Sequence, residues 1–97
     1  MGATVVLPQV LRSDCDGAPC VEVEPPVPSG GATLRDVLDE LTRLHPRVDR
    51  RIRDERGQLR RYVNVFVGDE ECRGMAGLDT PVPDGEEVRV LPSVAGG

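Results

Sequence analysis

The groups in this chain that could do chemistry are few, and most of them lack partners at a useful spacing. Cys15, Cys20, Cys72 and His45 are its only thiol and imidazole metal ligands. The interval between Cys15 and Cys20 is wider than the paired-ligand spacing of a structural zinc site. An odd number of cysteines in a reducing compartment reads as free thiols, with oxidation able to join Cys15 to Cys20. No serine has a plausible histidine partner, and Gly30-Gly31 does not follow a strand as a phosphate loop requires. Neither a catalytic residue nor a metal site is therefore expected. What remains is the end of the chain, Pro92 to Gly97, in which Ser93 is followed by Val94, Ala95, Gly96 and Gly97, whose side chains shrink toward the terminus. Six residues extend roughly 20 Å at most. A segment that threads a narrow channel and delivers its own carboxylate needs missing side chains, because Cβ atoms would meet the walls and restrict φ and ψ.

The elements that must position that end are legible in outline. Thr4 to Leu11 is β-branched and apolar, and Pro8 within it suggests an edge or a bulge. Val21 to Glu24 alternates apolar with charged, so the two segments read as a hairpin around the turn-rich SDCDGAP. The connector PPVPSGG cannot be helical. After it, Leu34, Val37, Leu38, Leu41 and Leu44 recur at helical spacing. Thr33 is placed to cap this helix with Asp36 as its reciprocal partner, His45 lies at its end, and Pro46 prevents continuation. Tyr62 to Val67 alternates, with Val63, Val65 and Val67 on a core face and Tyr62, Asn64 and Phe66 opposite. Cys72 is expected to begin a short strand, and Glu87 to Leu91 forms the last one. Strand, strand, helix, strand, short strand, strand is an α+β order in which one main helix packs on one face of a mixed sheet. Residues 1–91 then form one domain and 92–97 a flexible tail.

Composition narrows the function. The chain has 97 residues, a net charge of −5, and only Tyr62 and Phe66 as aromatics. A chain this size buries about 60 to 68% of its unfolded surface, so its core must be aliphatic and thin. Acidity and the lack of stacking rings argue against nucleic acid. No apolar run is long enough to span a bilayer and the start lacks a secretory signal, which predicts a cytoplasmic protein with no membrane partner. Lysine is absent. Eight of the twelve arginines lie between Arg43 and Arg61, giving that stretch a charge of +5 and leaving −10 on the rest. The simplest reading is a solvated helix end and loop; the alternative is steering of a charged partner.

The order of elements, the segments RRYVNVFVGDEE and GLDTPVPDGEEVRVLPSVAGG, and the terminal diglycine resemble the ubiquitin-like sulfur carriers of the MoaD and ThiS type. Within that family the chain is most similar to the actinobacterial carriers of cysteine biosynthesis. The resemblance implies a β-grasp fold. It implies that the carboxylate of Gly97 is adenylated by a separate enzyme of the ubiquitin-activating type, which uses ATP. The acyl-adenylate then becomes a thiocarboxylate that donates sulfide to a biosynthetic enzyme making cysteine, a thio-sugar or a cofactor. Gly96, Ala95 and Val94 would thread the partner's site, no cofactor would be bound, and the chain alone would be a monomer rather than an enzyme. A molybdopterin-synthase small subunit and a protein modifier stay open as alternatives. Ala95, where modifiers usually carry arginine, favours sulfur transfer over conjugation.

A partner that receives the tail must also hold the body. Phe66 and Leu91, with Arg89 on the same face by alternation, are the expected docking residues, since an exposed apolar spot rimmed by charge suits a transient contact.

Overall fold

The computed structural model describes residues 2–27 and 31–92. Among these, five strands form one mixed sheet in the order β2-β1-β5-β3-β4. The strands are β1 (Ala3–Val6), β2 (Cys20–Val23), β3 (Val63–Val67), β4 (Glu70–Glu71) and β5 (Glu87–Pro92). The β1–β5 pair is parallel and the remaining pairs are antiparallel. Period-two alternation decides which face is buried. Ala3, Val5, Val23, Val63, Val65, Val67, Val88 and Val90 point into the core, as the alternation of each segment predicts.

The core is closed by helices on one side only. The main helix, α2 (Leu34–Leu44), begins at Thr33, whose Oγ1 accepts from the Asp36 N–H while the Thr33 N–H donates to Asp36 Oδ2 at 2.9 Å. This is the predicted capping box. Leu34, Val37, Leu38 and Leu41 are all 1% exposed or less. At about 1.5 to 3 kcal/mol per fully buried aliphatic side chain, packing rather than intrinsic propensity stabilises an eleven-residue helix. Leu44, in the last turn, lies at the edge of this stripe and is exposed.

Several predicted elements differ. The first strand stops at Val6, and Gln9–Arg12 forms a one-turn helix, α1, with Pro8 as its N-cap. Pro8 cannot donate to a ladder, and Leu7 and Leu11, one helical turn apart, are both buried, which rewards the turn over a longer strand. Pro46 ends α2 but also starts α3 (Pro46–Ile52), where its missing N–H at the first position costs nothing. The arginine-rich stretch is thus a second helix, which buries Val48 and Ile52 against the core. Cys72 opens a 3₁₀ turn (Cys72–Gly74) instead of a strand, the fourth strand having ended at Glu71. The last strand runs one residue beyond Leu91, to Pro92.

Candidate functional site

The strand that leads to the end of the chain lies inside the sheet. β5 pairs with β1 on one side, through Thr4–Glu87, Val5–Val88 and Val6–Arg89, and with β3 on the other, from Val67–Val88 to Val63–Pro92. Pro92 is therefore held in a ladder, and five residues follow it. Val94, Ala95, Gly96 and Gly97, the residues predicted to thread a partner and carry the reacting carboxylate, lie outside the described residues, as does the predicted flexible tail of residues 92–97 except Pro92, which is paired in β5 rather than free.

The predicted docking residues do share one face. Phe66 stands directly opposite Arg89 in the β3–β5 ladder and Leu91 opposite Asn64. With Val65 and Val90 pointing into the core, all four occupy the face that the helices leave open. Phe66 is also opposite Glu71 of β4, and Arg89 is opposite Val6, so Cys20, Val6, Arg89, Phe66 and Glu71 form one row across the sheet. Phe66 is half-buried in this row, whereas Leu91 is 38% exposed. Arg89 is ion-paired to Glu87 on its own strand.

Sequence reasoning missed the neighbours of Leu91. An apolar notch at the end of the sheet is lined by Pro8, Val10, Leu11, Tyr62, Val63, Val90 and Leu91, with Arg51 at its rim. Val10 and Tyr62 are 57% and 49% exposed. Tyr62 does not belong to β3, as its alternation suggested; it sits in the turn before it. The i, i+4 spacing of Leu7 and Leu11 was the available sign that this segment turns as a helix, which points Val10 outward.

The arginines around this end are held in part by the backbone. Arg73 donates to the Arg60 carbonyl at 2.6 Å and to Asn64 Oδ1 at 3.2 Å, and Arg60 Nε donates to the Arg50 carbonyl at 2.6 Å. The loop between α3 and β3 is organised by Asp54, whose Oδ1 accepts from the Arg56 and Gln58 N–H groups at 2.9 and 3.0 Å. These bonds, the Gln58 one foremost, hold the Asp54 carboxyl below its ordinary range. Gly57, at φ +80°, makes the turn. Arg53 is used differently: it is buried and bonded to Asp39 and Asp49.

The cysteines do not meet. Cys15 and Cys72 are fully buried, and burial pushes both thiols up, helped at Cys15 by Asp14 and Asp16 and at Cys72 by Glu71. Cys20 is exposed on the edge strand β2. No cluster of three His, Cys, Asp or Glu side chains able to hold a metal occurs among the described residues, and no helix there is long and apolar enough to cross a membrane.

Comparison with known proteins is consistent across sequence and fold. The ThiS family model matches residues 18–97. The chain is 36% identical, over the full length of both, to the sulfur carrier protein CysO of Mycobacterium tuberculosis. It is 33% identical to the molybdopterin synthase sulfur carrier subunit of the same organism, over 90% of this chain and 87% of that one. Among solved structures, the Amycolatopsis orientalis BexX/CysO complex contains a chain that superposes with a TM-score of 0.84 at 36% identity, covering 98% of this chain and 99% of that one. The architecture is the ubiquitin-like β-grasp of those neighbours, as the family resemblance implied.

Proposed function

This chain belongs to the ThiS family, and from that premise we propose that it is a sulfur carrier whose cargo is held on the carboxylate of Gly97. The observation that carries the reading is the placement of Gly96-Gly97. They come four and five residues after the end of a strand bonded on both sides, in a chain that matches a sulfur carrier over the full length of both.

The chemistry follows from what a carboxylate lacks. It is a poor acyl donor, so an oxygen of the Gly97 carboxylate attacks the α-phosphorus of ATP in a partner of the ubiquitin-activating type, and pyrophosphate leaves. A sulfur nucleophile then attacks the acyl carbon and AMP leaves, giving a thiocarboxylate once any group carried on that sulfur has been removed. The C(O)S⁻ group is a soft nucleophile that hands sulfide to an acceptor enzyme without releasing it free. Residues 94–96 taper from valine through alanine to glycine, so that the end of the segment can enter both active sites. The chain supplies no catalytic side chain; it is a cosubstrate, and the ATP belongs to the partner. The similarity to CysO favours a cysteine-forming acceptor.

Intact mass after incubation with ATP, a sulfur source and the host's activating enzyme tests this. Replacement of one oxygen by sulfur, localised to Gly97, is the expected result. An unmodified chain under conditions that charge a known carrier overturns it, and deletion of Gly96 and Gly97 abolishes the modification if the reading is right.

A further inference from the structure

The sheet is electrically lopsided along its strands. At the end where β3 begins and β5 finishes, Arg51 rims the notch of Val10, Tyr62 and Leu91, and Arg60, Arg61 and Arg73 outnumber Asp54 in an adjoining cleft that shares Tyr62; Asp14 and Glu71 pair with Arg51 and Arg73 at 3.9 Å. Arg50 joins them through its carbonyl, which accepts from Arg60. At the other end, where β3 finishes and β5 begins, the acidic side chains gather: Asp69 and Glu70 in and after the β3–β4 turn, Glu86 and Glu87 at the start of β5, and Glu24 just past β2. Three of the five large apolar side chains that the described residues expose, Val10, Tyr62 and Leu91, sit at the basic end. The chain leaves the sheet from this same end, at Pro92.

We propose that this end is a docking surface for a protein partner whose entry mouth is apolar at its centre and acidic at its rim. The charge separation turns the carrier so that the segment after Pro92 arrives first. The proposal deepens the carrier reading and rests on it. A chain of net charge −5 is repelled as a whole by an acidic surface, so only the placement of its charges can make this approach favourable. The length of β3 at about 3.3 Å per residue puts the two ends roughly 15 Å apart. That exceeds the screening length of about 10 Å at 0.1 M salt. A partner at the basic end therefore feels the arginines and little of the acids, and the notch then excludes water under a short-range contact.

Arg50 and Arg61 are exposed and make no side-chain hydrogen bond or ion pair among the described residues, so Arg50→Glu with Arg61→Glu removes most of the positive charge of the pole and leaves the fold intact. The readout is carrier-dependent pyrophosphate release by the host's adenylating enzyme. At about 20 mM salt the double variant lowers kcat/KM by about tenfold or more with kcat unchanged, and at about 0.5 M salt the difference shrinks to within about twofold. Adding Asp69→Lys and Glu70→Lys returns the net charge to its original value and leaves the loss in place. Recovery of kcat/KM in this quadruple variant overturns the proposal in favour of a net-charge effect, and an unchanged kcat/KM in the double variant overturns it outright. A concentration-dependent self-association that the double variant abolishes overturns it too, by making a second copy the occupant. If the wild-type chain elicits no pyrophosphate release, the carrier reading itself fails and the proposal falls with it.

Discussion

Arg53 donates to Asp39 across the junction of the two larger helices, Nη1 to Oδ1 at 2.8 Å, while its Nε donates to Asp49 at 2.7 Å. The guanidinium is 8% exposed and lies between two carboxylates that keep contact with water. It ties the end of α3 to the outer side of α2.

Replacing Arg53 by Ala removes both charge-assisted bonds and the packing of the aliphatic stem. Each such bond is worth about 1.5 to 3 kcal/mol. The solvated acids left behind make the loss smaller than the 3 to 5 kcal/mol of breaking a fully buried pair. A destabilisation of about 2 to 3 kcal/mol is expected in chemical denaturation. Arg53→Lys restores only part of it, because an ammonium cannot serve the two carboxylates in the same plane.

Gly2 is fixed by a close approach rather than by its φ. A Cβ there would lie 1.7 Å from the carbonyl oxygen of Val23, at the start of the β1–β2 ladder. Gly2→Ala must push the two strands apart, at a cost of about 1 to 3 kcal/mol. For a domain of this size that lowers Tm by roughly 4 to 8 °C per kcal/mol.

Two carboxylates make the fold sensitive to acid. Glu40, held by the Arg43 guanidinium, and Asp54, held by backbone N–H groups of its own loop, both have native pKa values below the ordinary ones. A lowered native pKa contributes stability that is complete above the unfolded value of about 4 and is lost as pH falls through the native value. The urea midpoint is therefore flat from pH 7 to about 5 and falls below about 4. Glu40→Gln combined with Asp54→Asn makes that fall shallower.

The thiols differ in reach. Cys20 is exposed, whereas Cys15 and Cys72 are buried with thiols pushed up. A maleimide at neutral pH labels one thiol per chain, at Cys20, and reaches the other two only after unfolding. Rapid labelling of all three in the native protein contradicts the burial.

The alternation of YVNVFV and of EVRVL and the stripe from Leu34 to Leu41 were readable because each apolar set matches one period and one buried face. The segments around them were harder. Pro8 and Pro46 were read as interruptions, yet each also begins a helix, because a residue that cannot donate a hydrogen bond is tolerated where a helix starts. Val10 and Tyr62 were invisible as neighbours of Leu91, since they come from three distant parts of the chain and meet only when β1, β3 and β5 align. Phe66 and Arg89 were legible because strand periodicity alone puts them on one face. The uneven spread of arginine was plain in the sequence. Its division into a buried tie at Arg53 and an exposed group at one end of the sheet depends on how the loop between α3 and β3 folds over.

The central position of β5 also has a mechanical side. Tension applied beyond Pro92 runs along the strand, parallel to its ladders with β1 and β3. Such a pull loads both rows of hydrogen bonds in shear, so that they must fail together, whereas an edge strand peeled from the side unzips one bond at a time. If a partner draws on the end of this molecule, the body therefore acts as a stop that does not unravel.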